Sequence, residues 1–205
     1  FGAALDLRPE MYEAHLGLAG CLEKMGELDL ALEHACLARE LNSCEDSWFR
    51  EGRLLQEIGD YDRARECYKE VLACNPQHHT AMNNMGVICM NEDVNEDSRA
   101  EASLWFTRAR TCRPDYAEAW TNWANLLIKK GELERAEAAA RKGAELAENP
   151  SSLVRLGYVL QRQGRIDEAL DVYGRLLEID PIDSKGVRLY LAGLGLSETP
   201  ARATD

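Results

Sequence analysis

The 205-residue chain lacks long apolar runs and any excess of positive charge. No run approaches the roughly 20 apolar residues that a membrane-spanning helix needs, so we expect no membrane partner. The net charge of −12 argues against a nucleic-acid partner, because phosphate binding requires clustered positive charge. The seven cysteines include no C-x-x-C pair and predict a reduced, cytoplasmic setting.

Catalytic and metal-binding motifs are also missing from the sequence. There is no glycine-rich phosphate loop, nucleophile elbow or H-E-x-x-H pair, so we predict a chain without catalytic activity or cofactor. The segment 91–97 alternates like the opening of a calcium loop, but Glu96 stands where glycine is needed and Ala102 where a bidentate glutamate is needed. We therefore predict no metal site, and a solvated turn followed by a Ser98-x-x-Glu101 capping box.

What the chain does contain is an internal repeat. An aromatic residue follows an alanine by four positions and precedes a proline by eight in Ala64–Tyr68–Pro76, Ala102–Phe106–Pro114 and Ala169–Tyr173–Pro181. A second pattern places two bulky residues three apart before a small one, as in Trp120-x-x-Trp123-Ala124. A unit of this kind cannot bury its apolar face alone, so neighbouring units must stack.

These positions resemble the tetratricopeptide repeat, a helix–turn–helix unit of about 34 residues, over nearly the whole chain. The resemblance implies an all-α fold, a right-handed superhelical solenoid with a C-terminal capping helix. The five predicted units are 12–44, 45–78, 79–116, 117–149 and 150–183. The remaining ranges are interpreted as a remnant of a preceding repeat (1–11), an amphipathic capping helix (184–196) and a flexible tail or linker (197–205). Two residues depart from the usual pattern: His15 replaces a tryptophan, and Glu51 takes an apolar position.

Equivalent positions of the first helices would line the concave face of such a solenoid. Asparagine is a poor residue inside a helix, because its side chain competes for backbone hydrogen bonds, yet four asparagines fall on two consecutive first helices. An amide matches the C=O and N–H of an extended peptide, and Asn84 and Asn122 resemble the asparagine ladder of the repeat region in O-GlcNAc transferase. In the alternative interpretation, these amides bond to neighbouring helices or to water. The predicted peptide-binding residues are Asn83, Asn84, Asn122, Asn125, Arg50, Arg53, Arg155, Tyr158 and Arg162.

The four arginines of this set favour an acidic or carboxylate-bearing peptide, because a guanidinium group forms paired hydrogen bonds with a carboxylate. The alternative is that Glu13, Glu57 and Glu118 neutralise them. We therefore predict a non-catalytic scaffold that binds an extended peptide segment in its concave groove, and self-association through the solenoid ends stays open.

A second hypothesis makes the chain the substrate-recruiting region of a larger enzyme. Residues 180–205 resemble the junction that joins such repeats to an S-adenosylmethionine-dependent methyltransferase domain. An enzyme similar to O-GlcNAc transferase is another possible parent, and in either case the catalytic domain is absent from this chain.

Overall fold

The computed structural model describes residue 8 and residues 10–92 and 95–179, and every regular element within them is an α-helix. This confirms the all-α prediction for the described part of the chain. The helices fall into two compact units, Phe1–Cys112 (unit 1) and Arg113–Asp205 (unit 2). Unit 1 contains α1 (Tyr12–Met25), α2 (Leu28–Leu41), α3 (Glu45–Ile58), α4 (Tyr61–Cys74), α5 (His79–Asn91) and α6 (Glu96–Cys112). Unit 2 contains α7 (Ala117–Lys130), α8 (Leu133–Leu146), α9 (Pro150–Arg162) and α10 (Ile166–Ile179).

The helices alternate between a first and a second member of each pair. In unit 1 each second helix packs against its own first helix, and α2 and α4 also contact the first helices α3 and α5 of the next pairs. In unit 2, α8 packs against both α7 and α9, and α9 also contacts α7. The predicted capping helix (184–196), the tail (197–205) and the methyltransferase-like junction (180–205) lie outside the described residues, as does most of 1–11.

Left-handed glycines form the tight turns inside four of the pairs. Gly26 follows α1 with φ of +80°, and the N–H groups of Gly26 and Glu27 bond back to the carbonyls of Glu23 and Leu22. Glycine adopts this conformation without the clash that a Cβ atom causes. The third pair has no such glycine, and Glu92 after α5 has φ of −80°. The chain therefore leaves α5 without a left-handed residue. Its connection to α6 is longer than the connections inside the other pairs, as the sequence predicts.

The start of α6 differs from the prediction. The helix begins at Glu96, and the carboxamide oxygen of Asn95 accepts a hydrogen bond from the backbone N–H of Ser98 at 2.9 Å. Ser98 thus lies inside the first turn, and Asn95 caps the helix. The predicted Ser98-x-x-Glu101 capping box is wrong because asparagine, an equally good cap, lies earlier in the chain. Glu101 instead lies 3.6 Å from the guanidinium of Arg65 on α4.

Small residues on the first helices allow the second helices to approach closely. A Cβ atom built on Gly86 would lie 2.7 Å from the Phe106 ring, and one on Gly157 would lie 2.3 Å from the Tyr173 ring. Both rings are buried. The corresponding positions in the other pairs hold Gly52 with Tyr68, Ala19 with Ala35, and Ala124 with Ala140. A glycine on the first helix therefore corresponds to an aromatic ring on the second helix, whereas an alanine on the first helix corresponds to an alanine on the second.

The two residues that depart from the repeat pattern each find a polar partner. Glu51 is 3% exposed and bonds to Arg39 of α2, with Arg63 of α4 at 3.8 Å. A buried carboxylate needs such partners because desolvation of an unpaired charge is costly. His15 is also buried, and its Nδ1 lies 2.9 Å from Nδ1 of His34 on α2. Both substitutions thus connect helices through polar groups rather than through apolar packing.

Candidate functional site

All nine predicted site residues lie on first helices. We call them the polar stripe and describe each unit by itself. In unit 1 the polar stripe comprises Arg50 and Arg53 on α3 and Asn83 and Asn84 on α5. In unit 2 it comprises Asn122 and Asn125 on α7 and Arg155, Tyr158 and Arg162 on α9.

The two arginines of unit 1 share one carboxylate. Nη1 of Arg50 donates to Oε2 of Glu23 at 2.8 Å, and Nη2 of Arg53 donates to Oε1 of the same side chain. Only 11% of the Glu23 side chain is exposed. Because Glu23 lies on α1, these ion pairs also connect the first helices of two successive pairs. Both guanidinium groups are therefore already paired within the protein.

A cleft of about 670 Å³ opens between α1 and α3 over these ion pairs. Glycines keep its α1 wall low, and a Cβ atom on Gly20 would lie 3.5 Å from Nη1 of Arg50. The cleft is lined by Leu16, Gly17, Gly20, Cys21, Glu23, Lys24, Arg50, Arg53 and Glu57. Its walls thus carry charges of both signs, and the small residues leave room beside them.

The two asparagines on α5 have different surroundings. Asn83 is only 4% exposed, so the structure does not bring its amide to the surface. Asn84 is half-buried, and its Nδ2 donates to the hydroxyl of Tyr68 at 3.0 Å. That hydroxyl in turn donates to Oε1 of Gln56 at 2.9 Å. The side chain of Asn84 is thus held by a neighbouring second helix, as the alternative interpretation of the asparagines anticipated.

Unit 2 carries its asparagines on α7, where Asn122 and Asn125 are both half-buried. Three residues apart, they share one face of the helix. Trp123 and Leu127, on the opposite side, are buried in the interior of the unit. Both amides of α7 therefore lie on the side of the helix away from these two residues.

Arg155 on α9 is half-buried, and its Nε is enclosed without a hydrogen-bond partner among the described residues. Burial lowers the pKa of its guanidinium, and the nearby Tyr158 and Tyr173 partly offset that effect. No carboxylate in residues 10–92 or 95–179 forms an ion pair with it. Arg155 is thus a partly desolvated cation, which favours an anionic neighbour.

The rest of the α9 stripe is an aromatic–cation pair. Nη1 of Arg162 donates to the hydroxyl of Tyr158 at 3.3 Å, and the guanidinium carbon lies 5.9 Å from the centre of the tyrosine ring. Arg162 is exposed and Tyr158 half-buried. Together with Arg155, these side chains occupy one face of the helix at spacings of three and four residues.

Glu23 was not among the acids predicted to neutralise the arginines, which were Glu13, Glu57 and Glu118. The described contacts of Arg50 and Arg53 are nevertheless with Glu23. Glu57 lines the same cleft. The sequence feature that could have identified Glu23 as the partner is its position, 27 residues before Arg50 on the preceding first helix.

Other kinds of site are not evident in the described residues. They contain no cluster of three or more His, Cys, Asp or Glu side chains that could hold a metal ion. Within the same ranges, no helix has both the length and the apolar character needed to cross a membrane. The polar stripe is therefore the principal candidate for function.

Comparison with protein families gives a consistent result. Models described as tetratricopeptide repeat match residues 1–41, 45–78, 117–150 and 150–183, which together make up more than half of the chain. Tetratricopeptide repeat protein 8 of Mus musculus is 31% identical over 106 residues, covering 52% of this chain and 20% of that protein. The chain thus spans about a fifth of the length of this relative.

Two solved structures show the same fold. A thermophilic TPR protein of Thermus thermophilus has a TM-score of 0.79 at 22% identity and covers 90% of this chain and 99% of its own. YrrB, described as a TPR protein with an unusual peptide-binding site, has a TM-score of 0.59 at 17% identity and covers 94% of this chain and 97% of its own.

Proposed function

Because the chain belongs to the tetratricopeptide repeat family, we propose that it is a non-catalytic protein-interaction scaffold that binds an extended peptide through its polar stripe. Within each unit the helix pairs pack against one another, and their first helices carry polar residues at recurring positions. YrrB, which has the same fold, is described as having a peptide-binding site, and this supports the proposal that the fold can bind a peptide.

The observation that carries the proposal is the way in which Asn84 is held. The hydroxyl of Tyr68 uses one N–H of its amide, which has a second N–H and a carbonyl oxygen. The buried Tyr68 thereby fixes the orientation of the amide before a ligand arrives. Such pre-organisation favours binding because less side-chain freedom is lost. A peptide backbone presents the matching C=O and N–H groups.

The cleft between α1 and α3 gives a ligand additional surface in unit 1. Its glycine wall at Gly17 and Gly20 allows a peptide backbone to come close to the helix. Leu16 supplies an apolar contact and Lys24 a positive charge on the same wall. A site with apolar surface and a few polar groups is typical of ligand binding in proteins.

The proposal is tested by selecting peptides from a displayed random library and measuring their affinity by fluorescence anisotropy. Asn84→Ala and Asn122→Ala should each weaken binding, because each lost hydrogen bond contributes about 0.5–1.5 kcal/mol. That range corresponds to a roughly two- to tenfold higher Kd for each variant. Circular dichroism of both variants establishes that the helices remain folded.

Matched control variants come from exposed acidic residues on second helices. Glu70→Ala on α4 and Asp171→Ala on α10 should leave the affinity unchanged, because these side chains lie away from the polar stripe. The proposal is wrong if the library yields no binding peptide. It is also wrong if selected peptides bind the two asparagine variants as tightly as the unchanged chain.

A further inference from the structure

Resting on the proposed function, we infer that the ligand carries acidic side chains and that unit 2 binds their carboxylates through Arg155 and Arg162. Arg50 and Arg53 of unit 1 belong to the polar stripe but bind no ligand carboxylate, because Glu23 already pairs with both. The ligand class is thus a carboxylate-bearing peptide. It binds in unit 2 because Glu23 pairs with the arginines of unit 1, whereas Ile128, at the corresponding position of unit 2, cannot pair with Arg155.

Arg50 and Arg155 occupy equivalent positions of the repeat. Both stand two positions before the small residue of their first helix, Gly52 and Gly157 respectively. In unit 1 that arginine already has a carboxylate partner, since Glu23 bonds to both Arg50 and Arg53 from a position that is nearly buried. An incoming carboxylate would gain less there, because the charge of Arg50 is already compensated by an internal one.

Unit 2 differs at the position that corresponds to Glu23. Ile128 lies 27 residues before Arg155, the same separation that joins Glu23 to Arg50, and it is 6% exposed. An isoleucine cannot accept a hydrogen bond. Among the described residues, Arg155 therefore has no counterpart of the carboxylate that pairs with Arg50, and its Nε is enclosed without a partner.

Two further features favour an anion at this place. Burial lowers the pKa of Arg155 because it removes water from the charged guanidinium, and a nearby carboxylate would stabilise that charge. The exposed Arg162 lies on the same face, and its bond to Tyr158 is to a neutral hydroxyl. Hydrogen bonds between a guanidinium and a carboxylate are stronger than such neutral contacts. Both guanidinium groups can therefore improve their bonding by accepting an acidic side chain.

Several charged residues of unit 2 pair with one another away from Arg155 and Arg162. Glu137 of α8 bonds to Arg165, Arg141 lies 3.5 Å from Glu168, and Glu148 bonds to Arg175. These pairs involve the second helices and the turns that precede or follow them. The cations of the α9 stripe are thus left out of the ion-pair network within the described residues, whereas those of the α3 stripe are part of one.

The inference is tested with two fluorescent dodecapeptides, one alternating serine and glutamate and the other alternating serine and glutamine. The chain should bind the acidic peptide more tightly. Arg155→Gln should raise the Kd of the acidic peptide about tenfold, the effect of losing a charge-assisted hydrogen bond. Arg50→Gln, the matched control at the equivalent position, should change it by less than about twofold, because that guanidinium is already paired.

Two exchanges test the role of the internal carboxylate. Glu23→Gln should release Arg50 and Arg53 and strengthen binding of the acidic peptide. Ile128→Glu should supply Arg155 with an internal partner and weaken it. Because a buried glutamate can unfold unit 2, circular dichroism must show native helicity for Ile128→Glu. If it does not, Glu23→Gln and Arg155→Gln decide the question.

The outcomes separate this inference from the function on which it rests. If library-selected peptides bind but the acidic dodecapeptide has no advantage, or if Arg155→Gln and Arg50→Gln have equal effects, only the inference is overturned. If the library also yields no binding peptide, the proposed function falls as well. A loss of acidic preference confined to Arg155→Gln supports the assignment.

Discussion

Arg50 in unit 1 and Arg155 in unit 2 occupy the same position of the repeat, yet their surroundings differ. Arg50 bonds to a carboxylate on the preceding first helix, whereas the residue at the same separation before Arg155 is the isoleucine Ile128. The residue type at one position is therefore not enough to assign a role. In our proposal, the partner one repeat earlier decides whether an arginine holds helices together or binds a ligand.

The largest expected effect comes from breaking the packing that places Arg155. Gly157→Ala would put a Cβ atom 2.3 Å from the Tyr173 ring, and both residues are buried. Overpacking of this kind costs about 1–3 kcal/mol, and we expect the upper part of that range. Chemical unfolding should show the loss in unit 2, with α9 displaced from α10 and acidic-peptide binding weakened.

Gly174→Ala on α10 is the matched control for that substitution. A Cβ atom there would have no neighbour within 4 Å, so the substitution should raise stability by roughly 0.5–1 kcal/mol through helix propensity. Equal destabilisation by the two substitutions would show that contact with Tyr173 is not the cause.

A second substitution tests whether unit 2 is held by ion pairs on its second helices rather than on its stripe. Although burial opposes ionisation, hydrogen bonds from Arg141, Arg165 and Gln163 lower the pKa of Glu137 to about 2 from 4.5. A lowered pKa means that the carboxylate stabilises the folded state fully above pH 4.5, and that this contribution is lost as the pH falls towards 2. Glu137→Gln should therefore cost about 1–2 kcal/mol at neutral pH.

The measurement is urea unfolding of the unchanged chain and of Glu137→Gln across this acidic range. The difference in free energy of unfolding between them should shrink as the pH falls. Glu134→Gln, an exposed carboxylate on the same helix, serves as the control and should change little at any pH. A difference between the unchanged chain and Glu137→Gln that stays constant with pH would contradict the assignment.

The smallest expected effect concerns the hydroxyl that holds Asn84 in unit 1. Tyr68→Phe removes the group that bonds to both Gln56 and Asn84, at an expected cost of about 0.5–1.5 kcal/mol in stability. Selected peptides should also bind less tightly, since the amide loses its fixed orientation. Tyr61→Phe is a suitable control, because its hydroxyl accepts only a long contact of 3.4 Å from Asn91.

The helix pairs could be predicted because their determinants lie close together in the chain. A left-handed glycine such as Gly131 ends a first helix through purely local backbone geometry. The alternation of small and large residues similarly indicates which faces pack. The start of α6 was missed because two good capping residues, Asn95 and Ser98, lie three positions apart, and local preference does not choose between them.

The site was harder to predict because its properties depend on distant partners. The sequence placed the arginines and asparagines on first helices, but it did not show that Asn83 is buried or that Asn84 bonds to Tyr68. It also could not rank Glu23 above the other acids, since a pairing across 27 residues depends on how two helices lie against each other. Equivalence between repeats thus predicts where the arginines and asparagines lie, whereas their roles depend on contacts that the sequence does not reveal.

All seven cysteines precede residue 113, so unit 2 contains no sulfhydryl group. Cys21, Cys74 and Cys112 are exposed, whereas burial raises the pKa of Cys67 to about 12 and that of Cys89 to about 11. A maleimide dye will therefore attach only to unit 1, first at its surface. The two protected thiols will become reactive only when unit 1 opens, which gives a way to time its unfolding separately from that of the rest of the chain.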